Sequence, residues 1–299
     1  YCVLVFLRRQ LYLSGLLSVY RSRSPLIVVG NIFIGVNGKT PLVIELSRQL
    51  QALGYRPGIV SRGYGAQRDS SKNPFPRQVQ DNNVLLYGDE PVVIHQATGC
   101  PVFIDPVRSR AVQAIEQKTD CNVIISDDGL QHYAMGRQIE IAVVDGKRRF
   151  GNGFFLPSGP LRESESRLKT VDFVINNGAE HVGEITSTLK PLMFVNVATN
   201  EERPLDFFNQ KTCHAVAGIG YPQRFFDALT QLGIKVETHA FTDHHAFTQT
   251  DLAFDDRYPI LMTAKDCVKC REFATDQTWY LHVEAELSDD FLTELTNKL

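Results

Sequence analysis

Leu26-Ile27-Val28-Val29-Gly30-Asn31-Ile32-Phe33-Ile34-Gly35-Val36-Asn37-Gly38-Lys39-Thr40-Pro41 is the stretch on which the fold turns. An unbroken apolar run ending at glycine reads as a strand buried on both faces. Thr40 to Leu53 then shows helical spacing, with Gly54 placed to end the helix. Gly38-Lys39-Thr40 therefore sits where a strand gives way to a helix, the setting that a phosphate loop requires. Backbone N–H groups at such a helix start face phosphate oxygens, Lys39 adds a point charge, and the Thr40 hydroxyl can ligate Mg²⁺. The candidate nucleotide-holding segment is Phe33, Ile34, Gly35, Val36, Asn37, Gly38, Lys39 and Thr40. The strict pattern asks for glycine at position 33, where this chain has Phe33, so a plain glycine turn is the competing reading.

Working outward, Val123-Ile124-Ile125 is a second apolar run, and it leads to Asp127 and Asp128. Ligands of open α/β sheets bind beyond the carboxyl ends of strands, where these acids and the loop would meet. Alone, paired acids are as readily caps or solvated turns. No Asn-Lys-x-Asp sequence for guanine is present, which favours ATP. Strand patterns at Gly58-Ile59-Val60, Pro101 to Ile104 and Ile139 to Val144 alternate with helical ones at Asp89 to Ala97 and from Asp105-Pro106 to about Lys118. A long Gly/Pro-containing stretch, Gly146 to Leu168, is of the kind that carries function. Val171 to Ile175 and Leu192 to Val197 read as extended. A second alternating set runs from His214 to a terminal helix after Ser288. The pattern predicts an α/β, P-loop NTPase-like fold with a mostly parallel sheet flanked by helices, and a second, smaller α/β domain. The expected divisions are an N-terminal amphipathic helix over 1–24, a nucleotide-binding domain over 25–190 and a C-terminal domain over 191–299.

A length of 299 residues suits about two domains at roughly 150 residues each. Lys and Arg total 31 against 34 Asp and Glu, and a net charge of -3 argues against a nucleic-acid partner. A mean hydropathy of -0.15, without repeated long apolar runs, excludes a polytopic membrane protein. The six cysteines are expected to be reduced, and Cys267-x-x-Cys270, lacking a second pair, reads as packing rather than a zinc or redox site. The first 24 residues differ in character: Arg8, Arg9, Arg21 and Arg23 occur with no acid before Glu45. The charge-free run Tyr1 to Leu7 is far short of the roughly 20 residues that span a bilayer. On a helical wheel Arg8, Ser14, Gly15, Ser18 and Ser22 fall to one side, with Leu and Tyr on the other. That arrangement predicts a helix lying in a membrane interface; a core-docked helix or the tail of a signal peptide is the alternative. An opening on Tyr1 rather than Met predicts further residues upstream.

With these residues in view, the chain resembles the tetraacyldisaccharide 4'-kinase family of lipid A biosynthesis. The matching stretches are Val29-Gly30-Asn31 with Gly38-Lys39-Thr40-Pro41, Ser61-Arg62-Gly63-Tyr64-Gly65, Gly88-Asp89-Glu90-Pro91 and Pro106-Val107-Arg108-Ser109-Arg110. Asp127-Asp128-Gly129-Leu130-Gln131-His132, Arg149-Phe150-Gly151-Asn152-Gly153, Gly159-Pro160-Leu161-Arg162-Glu163, Asp243-His244 and Lys265-Asp266 complete the set. The chain departs from the family at Val36, where glycine is usual, and at Phe33, where a small or hydroxylated residue is usual.

The resemblance implies transfer of the ATP γ-phosphoryl group to the 4'-hydroxyl of a tetraacyl glucosamine disaccharide 1-phosphate. It implies that Lys39 and the 33–40 loop hold phosphates, and that Thr40, Glu90 and Asp127 or Asp128 organise Mg²⁺. Asp89 is implied as the residue taking the hydroxyl proton, supported by His244. Arg108 and Arg110 are implied to meet phosphates, and Arg162 to neutralise charge on the transferring group. Arg62 and Tyr64 are further candidates for holding the acceptor. The plainer readings remain a helix cap for Asp89, a satisfied surface histidine for His244 and ordinary surface charge for the two arginines. The implied location is the cytoplasmic face of the bacterial inner membrane, peripheral or monotopic, with no obligate protein partner. Two rivals stand beside it: a membrane-associated P-loop nucleotide-binding protein without lipid kinase activity, and a soluble kinase or ligase for another acceptor.

Overall fold

The computed structural model describes residues 2–35, 38–67 and 74–299. Helix α1 (Cys2–Leu13) precedes strand β1 (Leu26–Gly30), whose side chains alternate between two cores. Ile27 and Val29 join the core on one face of the sheet, and Leu26 and Val28 the core on the other. Neither face of β1 meets water, which is why its sequence is apolar without alternation. Helix α2 (Lys39–Ala52) follows and buries Leu42, Val43, Leu46 and Leu50, an i, i+4 stripe against the first core. Its N-cap, Gly38, has φ 103°, and a Cβ there would lie 2.0 Å from Asn177 Nδ2, so only glycine fits.

Beyond α2 come β2 (Pro57–Ser61), β3 (Arg77–Gln78), the short α3 (Val84–Tyr87), α4 (Asp89–Thr98), β4 (Val102–Ile104), α5 (Arg108–Lys118), β5 (Val123–Ser126), β6 (Ile139–Asp145) and β7 (Phe173–Asn177). The helix expected to open at Asp105-Pro106 begins instead at Arg108. The Asp105 carboxylate accepts from the Val107 amide at 2.7 Å and grips Arg110, so it closes a turn before the helix. The last part contains β8 (Ile185–Asn196), β9 (Glu202–Arg203), β10 (Thr212–Ala217), α6 (Pro222–Gln231), β11 (Lys235–Ala240), β12 (Ile260–Thr263), α7 (Ala264–Cys270), β13 (Thr278–Glu286) and α8 (Asp289–Thr296).

These strands form one sheet in the order β11-β10-β12-β13-β8-β7-β6-β1-β5-β2-β4-β3, with β9 alongside β8. It is an α/β, mostly parallel arrangement of the P-loop kind; β13 with β8, β8 with β9 and β3 with β4 are antiparallel. β8 is longer than its apolar half predicts, because Ile185 to Ser187 pair with β7 and Thr188 to Asn196 pair with β13. Residue 190 falls inside this strand. Cys267 and Cys270 are buried, unpaired thiols packed with Val216, Met262 and Phe247.

Helix α1 stands apart from these cores. Val5, Arg9 and Tyr12 are half-buried on one side, and Arg9 reaches Thr170 Oγ1 at 3.3 Å. Val3, Leu4, Phe6 and Leu7 are 51–71% exposed, so the apolar side faces outward. Among the described residues no helix is long and apolar enough to cross a membrane.

Candidate active site

A cleft of about 830 Å³ opens where the carboxyl ends of the central strands meet α2, α4 and α7. Lys39, Thr40, Glu90, Asp127, Asp128, Arg162 and His244 all line it, together with Arg62, Tyr64, Arg108 and Lys265. Ile34, Gly35 and Gly38 line it too, whereas Val36 and Asn37 lie outside the described residues. The start of α2 points its free amides into this space.

Phe33 shows how the loop begins without a glycine. Its side chain is 2% exposed, packed in the core edge-on to Phe150, and its backbone pairs with Leu161. The ring points away from the cleft, so bulk at this position does not crowd a phosphate. The long 146–168 loop is stitched to the same segment: Ile34 N–H donates to Pro160 and Arg162 N–H to the Ile32 carbonyl at 2.7 Å. Gln131 donates to both the Asn31 carbonyl and Glu163 Oε1, locking the loop's exit. Arg162 is thereby delivered to Asp128, 3.0 Å away.

Charge in the cleft is divided between two carboxylates of opposite character. Asp128 (φ 47°) sits between Lys39 Nζ at 3.0 Å and Arg162. Burial works against its ionised form, but the two cations overcome this and hold it well below the usual carboxylate range. Its neighbour Asp127 is 2% exposed, and burial, with the charges of Glu90 and Asp128, pushes it up to about 7. Asp127 Oδ1 is buried and has no hydrogen-bond partner among the described residues. An ionised, unpaired oxygen at such a site is costly, and a cation shared by Asp127, Asp128 and Glu90 would relieve it. The donor set, carboxylates beside the Thr40 hydroxyl, is all oxygen and suits Mg²⁺.

Arg108 is 2% exposed and lies beneath Asp127, whose carbonyl it binds at 3.0 Å. Burial pulls its guanidinium down to about 10 despite both aspartates. Arg110 is turned elsewhere: it forks onto Asp105 at 2.7 and 2.9 Å, is half-exposed and does not line the cleft.

On the opposite wall, Asp89 opens α4 as its first residue, after Gly88 at φ 89°. A Cβ on Gly88 would lie 2.4 Å from the Tyr64 carbonyl, so glycine lets the Ser61-to-Gly65 turn press against the helix. That contact sets the Tyr64 ring 4.6 Å from the His244 ring. His244 Nδ1 lies 3.0 Å from Asp89 Oδ2, joining residues 155 apart in sequence. His244 faces the cleft, and Asp89, 7% exposed, lies behind it. Burial alone would raise the Asp89 carboxyl, but the His244 hydrogen bond and the charges of Lys265 and Lys269 bring it below its ordinary value. His244 is raised in turn: burial opposes its charge, and Asp89 more than compensates. Lys265, which can only donate, sits 3.4 Å from His244 Nε2. In the neutral ring, Nε2 therefore carries the lone pair and Nδ1–H donates to Asp89.

Lys265 and Lys269 stand outside the expected set. Lys265 Nζ lies 3.2 Å from Glu90 and 3.3 Å from Asp243, and Lys269 lies 2.8 Å from Asp266. The Lys265-Asp266 pair is the signal for them, but nothing local in sequence tells that α7 packs beside α4.

A family model described as tetraacyldisaccharide-1-P 4'-kinase matches residues 1–299. The chain is 54% identical over 299 residues to the tetraacyldisaccharide 4'-kinase of Ruthia magnifica subsp. Calyptogena magnifica, covering 100% of this chain and 94% of that one. It is 48% identical over 297 residues to that of Psychromonas ingrahamii, covering 98% and 91%. A crystal structure of LpxK from Aquifex aeolicus, an "apo" form in complex with ATP, superposes with a TM-score of 0.80 at 25% identity, covering 99% of this chain and 94% of that one. Whole-length matches of this kind, on a strand-loop-helix cleft already lined by Lys39, Asp128 and His244, place the chain in the tetraacyldisaccharide-1-P 4'-kinase family.

Proposed function

We infer that this chain transfers the γ-phosphoryl group of ATP to the 4'-hydroxyl of a tetraacyl glucosamine disaccharide 1-phosphate, a step of lipid A biosynthesis. The observation that carries the reading is the facing of two walls across one cleft. Lys39, Arg162 and the start of α2 supply positive charge on one wall, and the Asp89–His244 pair supplies a proton acceptor on the other. Phosphoryl transfer through a loose transition state needs little else than positioning and charge neutralisation. Lys39 and Arg162, now paired with Asp128, are the cations that meet the equatorial oxygens of the transferring group. The proton of the acceptor hydroxyl passes to the Asp89–His244 pair, with Asp89 kept ionised by its neighbours. Asp127, Asp128, Glu90 and Thr40 would hold Mg²⁺, which supplies Lewis-acid charge on the phosphates when bound. Arg62 and Tyr64, exposed at the cleft rim, are the side chains on hand for the acceptor headgroup.

Incubation of the protein with radiolabelled ATP, Mg²⁺ and the tetraacyldisaccharide 1-phosphate in mixed micelles should yield a new labelled lipid on thin-layer chromatography. A preparation that binds ATP and makes no such lipid would refute the reading. Activity on a water-soluble sugar in preference to the lipid would point to the soluble-kinase rival.

The acceptor's acyl chains belong in a bilayer, so the enzyme must meet it at a surface, and α1 is suited to that. Burying side chains such as Leu4, Phe6 and Leu7 gains about 1.5 kcal/mol or more each. Arg8, which is exposed, adds about 1 kcal/mol near anionic lipid. The apolar contribution dominates, so attachment should survive moderate salt. Removing residues 1–24 is expected to abolish cosedimentation with phosphatidylglycerol-containing vesicles, and equal pelleting of both forms would count against the helix. The location that follows is the cytoplasmic face of the inner membrane, with residues 25–190 acting as the nucleotide lobe and 191–299 as a second lobe that brings His244 and Lys265.

A further inference from the structure

Outside the residues that line the cleft, three metal-binding side chains converge at the open edge of the sheet. His214 lies on β10, and Glu237 and His239 lie on the edge strand β11. The parallel register sets His214 opposite Glu237, and His239 two residues further along the same face of β11. His214 Nδ1 is 3.1 Å from His239 Nε2 and 3.5 Å from Glu237 Oε2, and all three donor atoms lie within 4.8 Å of one another.

We propose that His214, Glu237 and His239 bind a divalent transition metal of the zinc class, clamping the edge strand β11 to β10. Metal–ligand bonds of about 2.0–2.1 Å would span these separations at angles of about 100° and about 115°, both close to tetrahedral. Two imidazoles and a carboxylate are donors that this class of ion takes, and they leave a fourth position for water.

The surroundings orient the ligands for that task. His214 Nε2–H donates to Asp256 Oδ1 at 3.0 Å, and the same oxygen accepts the Tyr258 amide at 2.9 Å. A carboxylate behind a histidine in this way fixes the tautomer, here with the lone pair on Nδ1, which points at Glu237 and His239. Phe254 stacks on the His214 ring at 3.7 Å, holding its plane. His214 is 2% exposed while Glu237 is exposed, so the site has a rigid buried ligand and an open side through which an ion can enter. Without a metal, the same atoms can make only one hydrogen bond between the two rings, with an anionic carboxylate at its border.

The test uses untagged full-length protein with excess Mg²⁺ present, so that the oxygen ligands of the cleft are occupied. Titration with zinc chloride, followed by calorimetry and by metal analysis after dialysis, should give one Zn²⁺ per chain. Zinc should raise the melting temperature, and EDTA should reverse the gain. His239→Gln should abolish stoichiometric binding, and Glu237→Gln and Asp256→Asn should each weaken it by about 10–100-fold. X-ray absorption at the zinc edge should report two imidazole ligands. Absence of binding at micromolar zinc would overturn the proposal, leaving a hydrogen-bonded histidine pair. Binding that persists unchanged in His239→Gln and Glu237→Gln would overturn it equally, since the ion would then sit elsewhere.

Discussion

Asp89→Asn is expected to lower kcat by about 100-fold or more while ATP binding is retained, the magnitude typical of losing a positioned proton acceptor. The amide keeps the shape of the side chain and can still accept from His244 Nδ1, 3.0 Å away. What it removes is the negative charge that makes His244 more basic than an isolated imidazole. Single-turnover kinetics with bound ATP would isolate the chemical step, and a rate equal to that of the wild type would take Asp89 out of the reaction. The pH profile supplies an independent reading. The acid limb of kcat/KM should reflect protonation of the Asp89–His244 pair as one coupled unit. In the wild type, Asp89 raises the His244 imidazole against the pull of burial, so the neutral, proton-accepting pair is lost as pH falls through that raised value. Asp89→Asn withdraws the charge that raises it. The acid limb should then move to lower pH, in addition to the fall in rate. A limb that stays in place would separate Asp89 from the proton transfer.

Lys39→Met should have the second large effect, about 10²–10³-fold in kcat, as for removal of one donor aimed at developing charge. Lys39 is only 13% exposed and lies at the start of α2, 3.0 Å from Asp128. Methionine preserves most of the stem and its packing, so the loss is one of charge. A second consequence follows from the pairing. Asp128 is kept ionised by Lys39 and Arg162 together, and with Lys39 gone its carboxyl should rise towards the ordinary range. Carbon-13 NMR titration of labelled aspartate in the variant would show that rise. Normal turnover with normal ATP affinity would contradict a phosphate-binding role for Lys39.

Much of this architecture is legible in the amino-acid sequence. Leu26 to Val29 announce a strand buried on both faces, because only such a strand has no use for polar alternation. Asp128 lies just past the end of β5 and Lys39 opens the helix that follows β1, and parallel pairing of β1 with β5 brings those strand ends together. Distance along the chain hides the rest. Lys265 meets Glu90 across 175 residues, and no periodicity encodes the packing of α7 on α4. Arg110 lies two residues from Arg108, yet the neighbouring Asp105 captures it. A local ion pair thus competes with the cleft and wins. Phe33 breaks the glycine pattern because the segment enters the core before it turns to the cleft. Side-chain direction of that kind is settled by tertiary contacts with Phe150 and Leu161.

The strand β8 carries a mechanical consequence. A flexible tether between two bodies lets each tumble freely, whereas β8 here passes directly from its pairing with β7 into its pairing with β13, a ladder that shifts register once, between His282 and Val283. Bending sharply at residue 190 would sever ladder bonds, each worth about 0.5–1.5 kcal/mol net. Cheap deformations are therefore torsional, a winding or unwinding of a pleated ribbon. Whatever rotates α7 about that ribbon must carry His244 and Lys265 as a rigid cargo relative to Lys39. The two jaws of the cleft are thus geared together rather than hinged.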